Sequence, residues 1–174
     1  MAMRHLTHHP KTPSEANGMS RWWRHYNPVR TAFNYAIVQL AARCPFMGMK
    51  RGLYRCLGAR IGKNVSIAPD VILDFVTPEL IEIGDGALIG YGALILAHEF
   101  LPDGYATGRT VIGPHCLVGA RATILAGVRI GEGAQVGAMA LVSSDIPANV
   151  LAAGVPARVV RKLDARRGPE KPRS

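Results

Sequence analysis

A chain of 174 residues, 48% of them hydrophobic, has the size and apolar content of one packed domain with appendages. Its net charge of +9 belongs to the flanks: residues 1–60 carry +9, residues 61–146 carry −5 and residues 147–174 carry +5, which excludes a nucleic-acid stripe along the centre and leaves an anionic ligand or surface for the ends. Three cysteines without CxxC spacing signal neither a disulfide framework nor a zinc site, and no apolar run reaches the ~18 residues of a spanning helix, so a reducing cytoplasm is the expected setting.

Residues 1–25 read as a leader. His5, His8, His9, Pro10, Pro13 and Gly18 follow no period, and the segment is expected to lack fixed structure; three histidines without ordered neighbours make a poor metal site. Residues 26–58 read as two helices. Asn27 and Pro28 supply a cap and first turn, Val29, Phe33, Ile37, Leu40 and Ala41 follow at helical spacing, and Pro45 ends the first helix. The second covers Met47 to Leu57, with Lys50, Arg51 and Arg55 on one side and Leu53, Tyr54 and Leu57 free to pack. The helices suit a cap on the open end of a repeat array. With Arg21, Trp22, Trp23 and Arg24, residues 21–57 also suit peripheral contact with an anionic membrane.

From Ile61 to Ile146 a six-residue period takes over. Its first position falls on Ile61, Ile67, Leu73, Ile83, Ile89, Ile95, Ile112, Val118, Ile124, Ile130, Val136 and Val142, every one aliphatic. The fifth position is mostly small or β-branched, and glycine recurs second (Gly62, Gly84, Gly90, Gly113, Gly119, Gly131, Gly137), where a tight corner wants a residue without a Cβ. One hexad cannot bury its apolar side alone, so each is expected to be a short strand plus a corner, stacked on its neighbours around a narrow shared interior. The ladder breaks twice. Four residues are extra around Thr77 to Leu80, and eleven, residues 101–111, read as a glycine-containing polar loop; excursions from a rigid ladder are where function is usually placed. PANVLAAGVPARVVRKL closes the far end to about residue 165, and residues 166–174 read as a solvated tail.

The runs IGKNVS, IGDGAL, IGYGAL, IGPHCL, VGARAT, IGEGAQ and VGAMAL resemble those of the hexapeptide-repeat acyltransferases, in particular the galactoside/maltose O-acetyltransferase-like and serine acetyltransferase-like enzymes. The resemblance covers residues 27 to 163 and implies a left-handed parallel β-helix, here of about four coils spanning residues 59–165, an exception to the right-handed crossover rule. It implies transfer of an acetyl or other short acyl group from acyl-coenzyme A to a hydroxyl or amine of a small-molecule or glycan acceptor, by a homotrimer without nucleic acid or metal. His98, at the mouth of the long insertion, matches the family's general base, and an imidazole suits removal of a proton near neutral pH. Glu99 and Asp74 are the carboxylates placed to orient it or to bind the acceptor. Ala120, Ala138 and Ser143 match positions lining the pantetheine groove, and Arg158 and Arg161 match the phosphate contacts. Two departures stand out: Ser144 where relatives often carry Lys, and Leu117 where many carry Trp. His115, at a hexad corner, reads as exposed and structural.

Two other functions are compatible with such a ladder. A catalytically silent trimeric scaffold would bind coenzyme without turnover. A carbonic anhydrase of the same fold would need three converging histidines, whereas the repeat holds only His98 and His115, with no HxxxxH.

Overall fold

The computed structural model describes residues 4–11 and 16–164. From Arg60 the chain winds into a column with three faces, each a stack of parallel strands. The first face stacks Arg60–Ile61, Ile81–Ile83, Thr110–Ile112 and Arg129–Ile130. The second stacks Ser66–Ile67, Leu88–Ile89, Leu117–Val118 and Gln135–Val136, and the third Ile72–Leu73, Leu94–Ile95, Thr123–Ile124 and Leu141–Val142. Register keeps each first-position residue over the next, Ile61 beside Ile83, Ile83 beside Ile112 and Ile112 beside Ile130. All twelve first positions are at most 7% exposed, so the interior is one aliphatic cylinder.

The corners refine the expectation for glycine. The left-handed backbone falls two residues after the second hexad position, on residues such as Asn64, Asp70, His115, Arg121 and Met139, with φ between 54° and 58°. The second-position glycines answer to crowding instead. A Cβ on Gly84 would sit 2.5 Å from Pro114 N, and one on Gly119 would sit 2.4 Å from Ala138 N, because consecutive corners stack backbone on backbone.

Two helices, α1 (Pro28–Arg43) and α2 (Met47–Cys56), pack on the first turn of the column. Asn27 caps α1 as expected, its Oδ1 accepting from the amides of Val29 and Arg30 at 3.0 and 3.2 Å. The buried face of α1 is rotated from the apolar stripe read in the sequence: Thr31, Asn34, Val38, Ala41 and Ala42 are buried, whereas Val29, Phe33 and Leu40 are exposed. Hydrogen bonds and small side chains decide that face. Asn34 donates to the Phe75 carbonyl at 2.9 Å, and the Ala42 carbonyl comes close enough to accept from Asp70 N–H at 2.9 Å.

The cations of α2 reach back onto the column, Lys50 buried and Arg55 still exposed. The first turn of any such array has carbonyls with no further coil to receive. Lys50 Nζ donates to Ile67 and Ala68, Arg51 to Val65, Arg55 to Ile61 and Gly62, and the Tyr54 hydroxyl to Val71, at 2.7 to 3.2 Å. These three cations, which in sequence suggest a lipid-facing patch, are thus spent on the strand edge. Among the described residues no helix is long and apolar enough to cross a membrane.

Both insertions take regular form. The short one is a 3₁₀ turn, Pro78–Leu80. The long one is a β-hairpin and no irregular loop: His98–Leu101 pairs antiparallel with Gly104–Thr107 before the chain rejoins the first face at Thr110. The leader is corrected as well. Thr7–Pro10 form a third strand along the outer edge of this hairpin, with Thr7 beside Thr107 and Pro10 beside Gly104. An exposed strand edge offers unpaired amides and carbonyls to any extended segment, and the leader supplies one. Gly18 lies so close to Gly104 that a Cβ there would collide with its carbonyl oxygen. At the far end Val150–Gly154 continues the second face and Ala157–Lys162 folds back antiparallel on it. The tail expected at residues 166–174 lies outside the described residues.

Candidate functional site

The chain leaves the third face at two levels with the side chains that matter. Asp74 follows Leu73, and His98 opens the hairpin 24 residues later. The intervening turn of the column brings them together: His98 Nδ1 lies 2.5 Å from Asp74 Oδ2. Asp74 is held from every side. Its Oδ1 accepts from the amides of Val76 and Thr77 at 2.8 and 3.1 Å, and its Oδ2 from those of Ala97 and His98 at 2.8 and 2.9 Å. Burial alone would push this carboxyl up, but the hydrogen bond and charge of His98, with the amides of Ala97 and Thr77, outweigh it and hold the pKa below its ordinary value of 3.8. Asp74 is therefore a carboxylate at neutral pH. A carboxylate can only accept, so the proton on His98 belongs on Nδ1 and Nε2 carries the free lone pair.

Glu99 does not join this pair. Neighbours along a strand point to opposite faces, and Glu99 forms its ion pair with Arg4 of the leader. The same leader continues up this corner to the last level of the column, where His5 Nε2 lies 3.1 Å from Asp145 Oδ2. Rings complete the wall. Phe100 stands 5.0 Å from His98 and Tyr26 stands 6.5 Å from it, both edge-on, while His9 stacks on Tyr105 at 4.4 Å and 11°. Nothing in the spacing of the leader's histidines announces this role; the signal is the unpaired hairpin edge, which appears only once the chain is folded.

The other expected residues fall elsewhere. Ser143 shares the His98 corner, because Asp74, Leu96 and Leu125 each bond to the level above, and the stack ends on Ser143. Ala120 and Ala138 stack on the corner between the second and third faces, with Met139 N–H donating to Ala120 at 2.8 Å. One face of the column, roughly 15–20 Å of extended backbone, separates that corner from His98. Arg158 and Arg161 are exposed on the last strand, opposite Ala153 and Leu151 of the second face. His115 is exposed at a third corner in the left-handed conformation, as a structural corner residue should be. Among the described residues no three His, Cys, Asp or Glu side chains converge on a point that could hold a metal.

Comparison with known proteins bears on this arrangement. The family model described as "Bacterial transferase hexapeptide (six repeats)" matches residues 109–144. A Bacillus subtilis (strain 168) protein provisionally named acetyltransferase YvoF is 39% identical over 162 residues, 91% of each chain. The galactoside O-acetyltransferase of Escherichia coli (strain K12) is 33% identical over 116 residues, 60% of this chain and 57% of that one. In fold, the column superposes with TM-score 0.65 and 22% identity on a hexapeptide-repeat acetyltransferase of Vibrio cholerae O1 biovar eltor solved with acetyl coenzyme A, covering 85% of this chain and 92% of that one. With a relative this similar along nearly its whole length, and with the repeat and its column in place, the chain belongs to the hexapeptide-repeat acyltransferase family, the left-handed β-helix enzymes that transfer acyl groups.

Proposed function

We propose that this protein transfers an acetyl group from acetyl-coenzyme A to a hydroxyl or amino group of a small-molecule or glycan acceptor, with His98 as general base and Asp74 as the residue that positions it. The observation carrying this reading is the His98–Asp74 contact at 2.5 Å, with the carboxylate saturated by four backbone amides. A base so held needs no reorientation when the acceptor arrives. Nε2 takes the acceptor's proton as the nucleophile attacks the thioester carbonyl, and Asp74 stabilises the imidazolium that forms.

Acetyl-coenzyme A supplies an activated acyl group on a thiol leaving group. The chain has features that fit it: exposed guanidinium groups at Arg158 and Arg161 for phosphates, and the small residues Ala120 and Ala138, stacked at one corner, for an amide-rich arm. The relatives' names and the acetyl-coenzyme A complex of the Vibrio enzyme support the donor. Because the coenzyme corner and the base corner are a face apart on one column, the reading takes the protein as a homotrimer whose sites lie between neighbouring columns. In the same reading α1 and α2 cap a column of four coils, and the leader belongs to the acceptor side of the site. Purified protein with acetyl-coenzyme A and a panel of acceptors, followed by thiol release, tests the function. His98→Ala should lower turnover by on the order of 10² to 10⁴ with coenzyme binding retained, and His115→Ala should leave it unchanged. Equal activity of the two variants refutes His98 as the base.

A further inference from the structure

The side of α1 turned away from the column carries a continuous apolar stripe. Val29, Phe33, Ala36 and Leu40 follow at i, i+4, i+7 and i+11, on the side of the helix opposite the buried Asn34, Val38 and Ala41, and run for about 16 Å along its axis. Val29, Phe33 and Leu40 are each more than half exposed, as are Phe46 and Met49 where the chain turns into α2. Single apolar side chains on a surface need no explanation. A stripe of them, on a helix that has already buried its other side, marks a contact surface.

Charge decides what covers it. From residue 16 to residue 60 the chain has eight Lys and Arg and no Asp or Glu. Lys50, Arg51 and Arg55 are bonded to carbonyls of the column, and Arg30 and Arg60 meet Glu79 and Glu82. Arg43 stands one turn beyond Leu40 and bonds only to Gln39 of its own helix, and Arg24 is exposed just ahead of α1; among the described residues neither meets a carboxylate. Two copies meeting through this face about a two-fold axis would set these guanidinium groups against one another with no acid between them. We propose that the outer face of α1, with Phe46 and Met49, is a peripheral membrane surface. The helix lies in the plane of an anionic bilayer, its apolar stripe at the acyl boundary and Arg24 and Arg43 against the headgroups. The surface is not the one the sequence suggests, because the cations of α2 are bound to the column and those flanking the stripe of α1 take their place.

Flotation of the full chain with lipid vesicles tests it, and needs neither substrate. The protein should float with vesicles of phosphatidylcholine and phosphatidylserine, far less with pure phosphatidylcholine, and should be released by salt. Replacing Arg24 and Arg43 together by Gln should lower the partition coefficient about thirtyfold, the product of about five- to sixfold for each cation. Phe33→Ser with Leu40→Ser should lower it at least about tenfold and leave the unfolding midpoint and the mass of the assembly unchanged, since both side chains stand clear of the fold. Absence of flotation with phosphatidylserine vesicles overturns the proposal, as does equal flotation with pure phosphatidylcholine, or serine or glutamine variants that bind like the parent. A lower midpoint or a smaller assembly in the serine variant means that a second copy covers the stripe, and overturns it too.

Discussion

Replacing Asp74 by Asn is the sharpest perturbation of this site, because it changes one atom and no shape. Four amides and one imidazole N–H point at the two carboxylate oxygens. An asparagine has one acceptor oxygen. Turned the better way, its oxygen keeps the amides of Ala97 and His98 and its NH₂ confronts those of Val76 and Thr77. Two buried amides then lose their acceptor, at about 1–3 kcal/mol each, so the expected loss is about 2–6 kcal/mol, a large part of the ~5–15 kcal/mol that holds an ordinary domain together. Urea unfolding at neutral pH measures it. The acid limb is a second readout. The depressed pKa of Asp74 makes its contribution fully present above the ordinary value of 3.8 and lost as pH falls through the lower folded value, so the parent's stability should fall there and the variant's should be flatter. Turnover should drop together with stability, since the imidazole loses the partner that fixes its tautomer. A variant within about 0.5 kcal/mol of the parent at neutral pH, with the same acid limb, refutes the account of Asp74 as an amide-saturated anion.

Arg158→Ala and Arg161→Ala should each weaken acetyl-coenzyme A about tenfold or more without affecting folding, and weaken dephospho-coenzyme A far less; equal losses would mean the arginines do not meet a phosphate. Deleting residues 1–11 removes the outer hairpin strand and the Arg4–Glu99 pair, and is expected to raise the acceptor KM, leave coenzyme binding intact and promote association through the bared edge, all readable by kinetics and light scattering. Co-refolding His98→Ala chains with doubly substituted Arg158→Ala, Arg161→Ala chains should restore about a quarter of the sites if each lies between two columns, and mixed trimers verified by mass but inactive would exclude a shared site.

The column was legible in sequence because its constraint is local and repeated. Each hexad must put an aliphatic residue inward and bring its corner against the next backbone, so twelve registers declare the same geometry and no single substitution blurs it. Placement of a polar residue against another coil is a different kind of information. Asp74 and His98 are far apart in the chain, and which carboxylate reaches the imidazole depends on the turn of column between them and on strand alternation, which sends Glu99 the other way to Arg4. The face that α1 buries was likewise undecided by periodicity, since the helix is apolar on both sides and the choice falls to Asn34 and the closeness that Ala41 and Ala42 allow. The leader's order depends on a partner far along the chain: an extended segment becomes a strand only where an unpaired edge exists, and that edge is made by residues 104–107. Sequence by itself therefore determined the repeat and singled out His98 at the mouth of the long insertion. Tertiary structure alone decided what surrounds that imidazole, because contacts between coils are set by how the chain is wound.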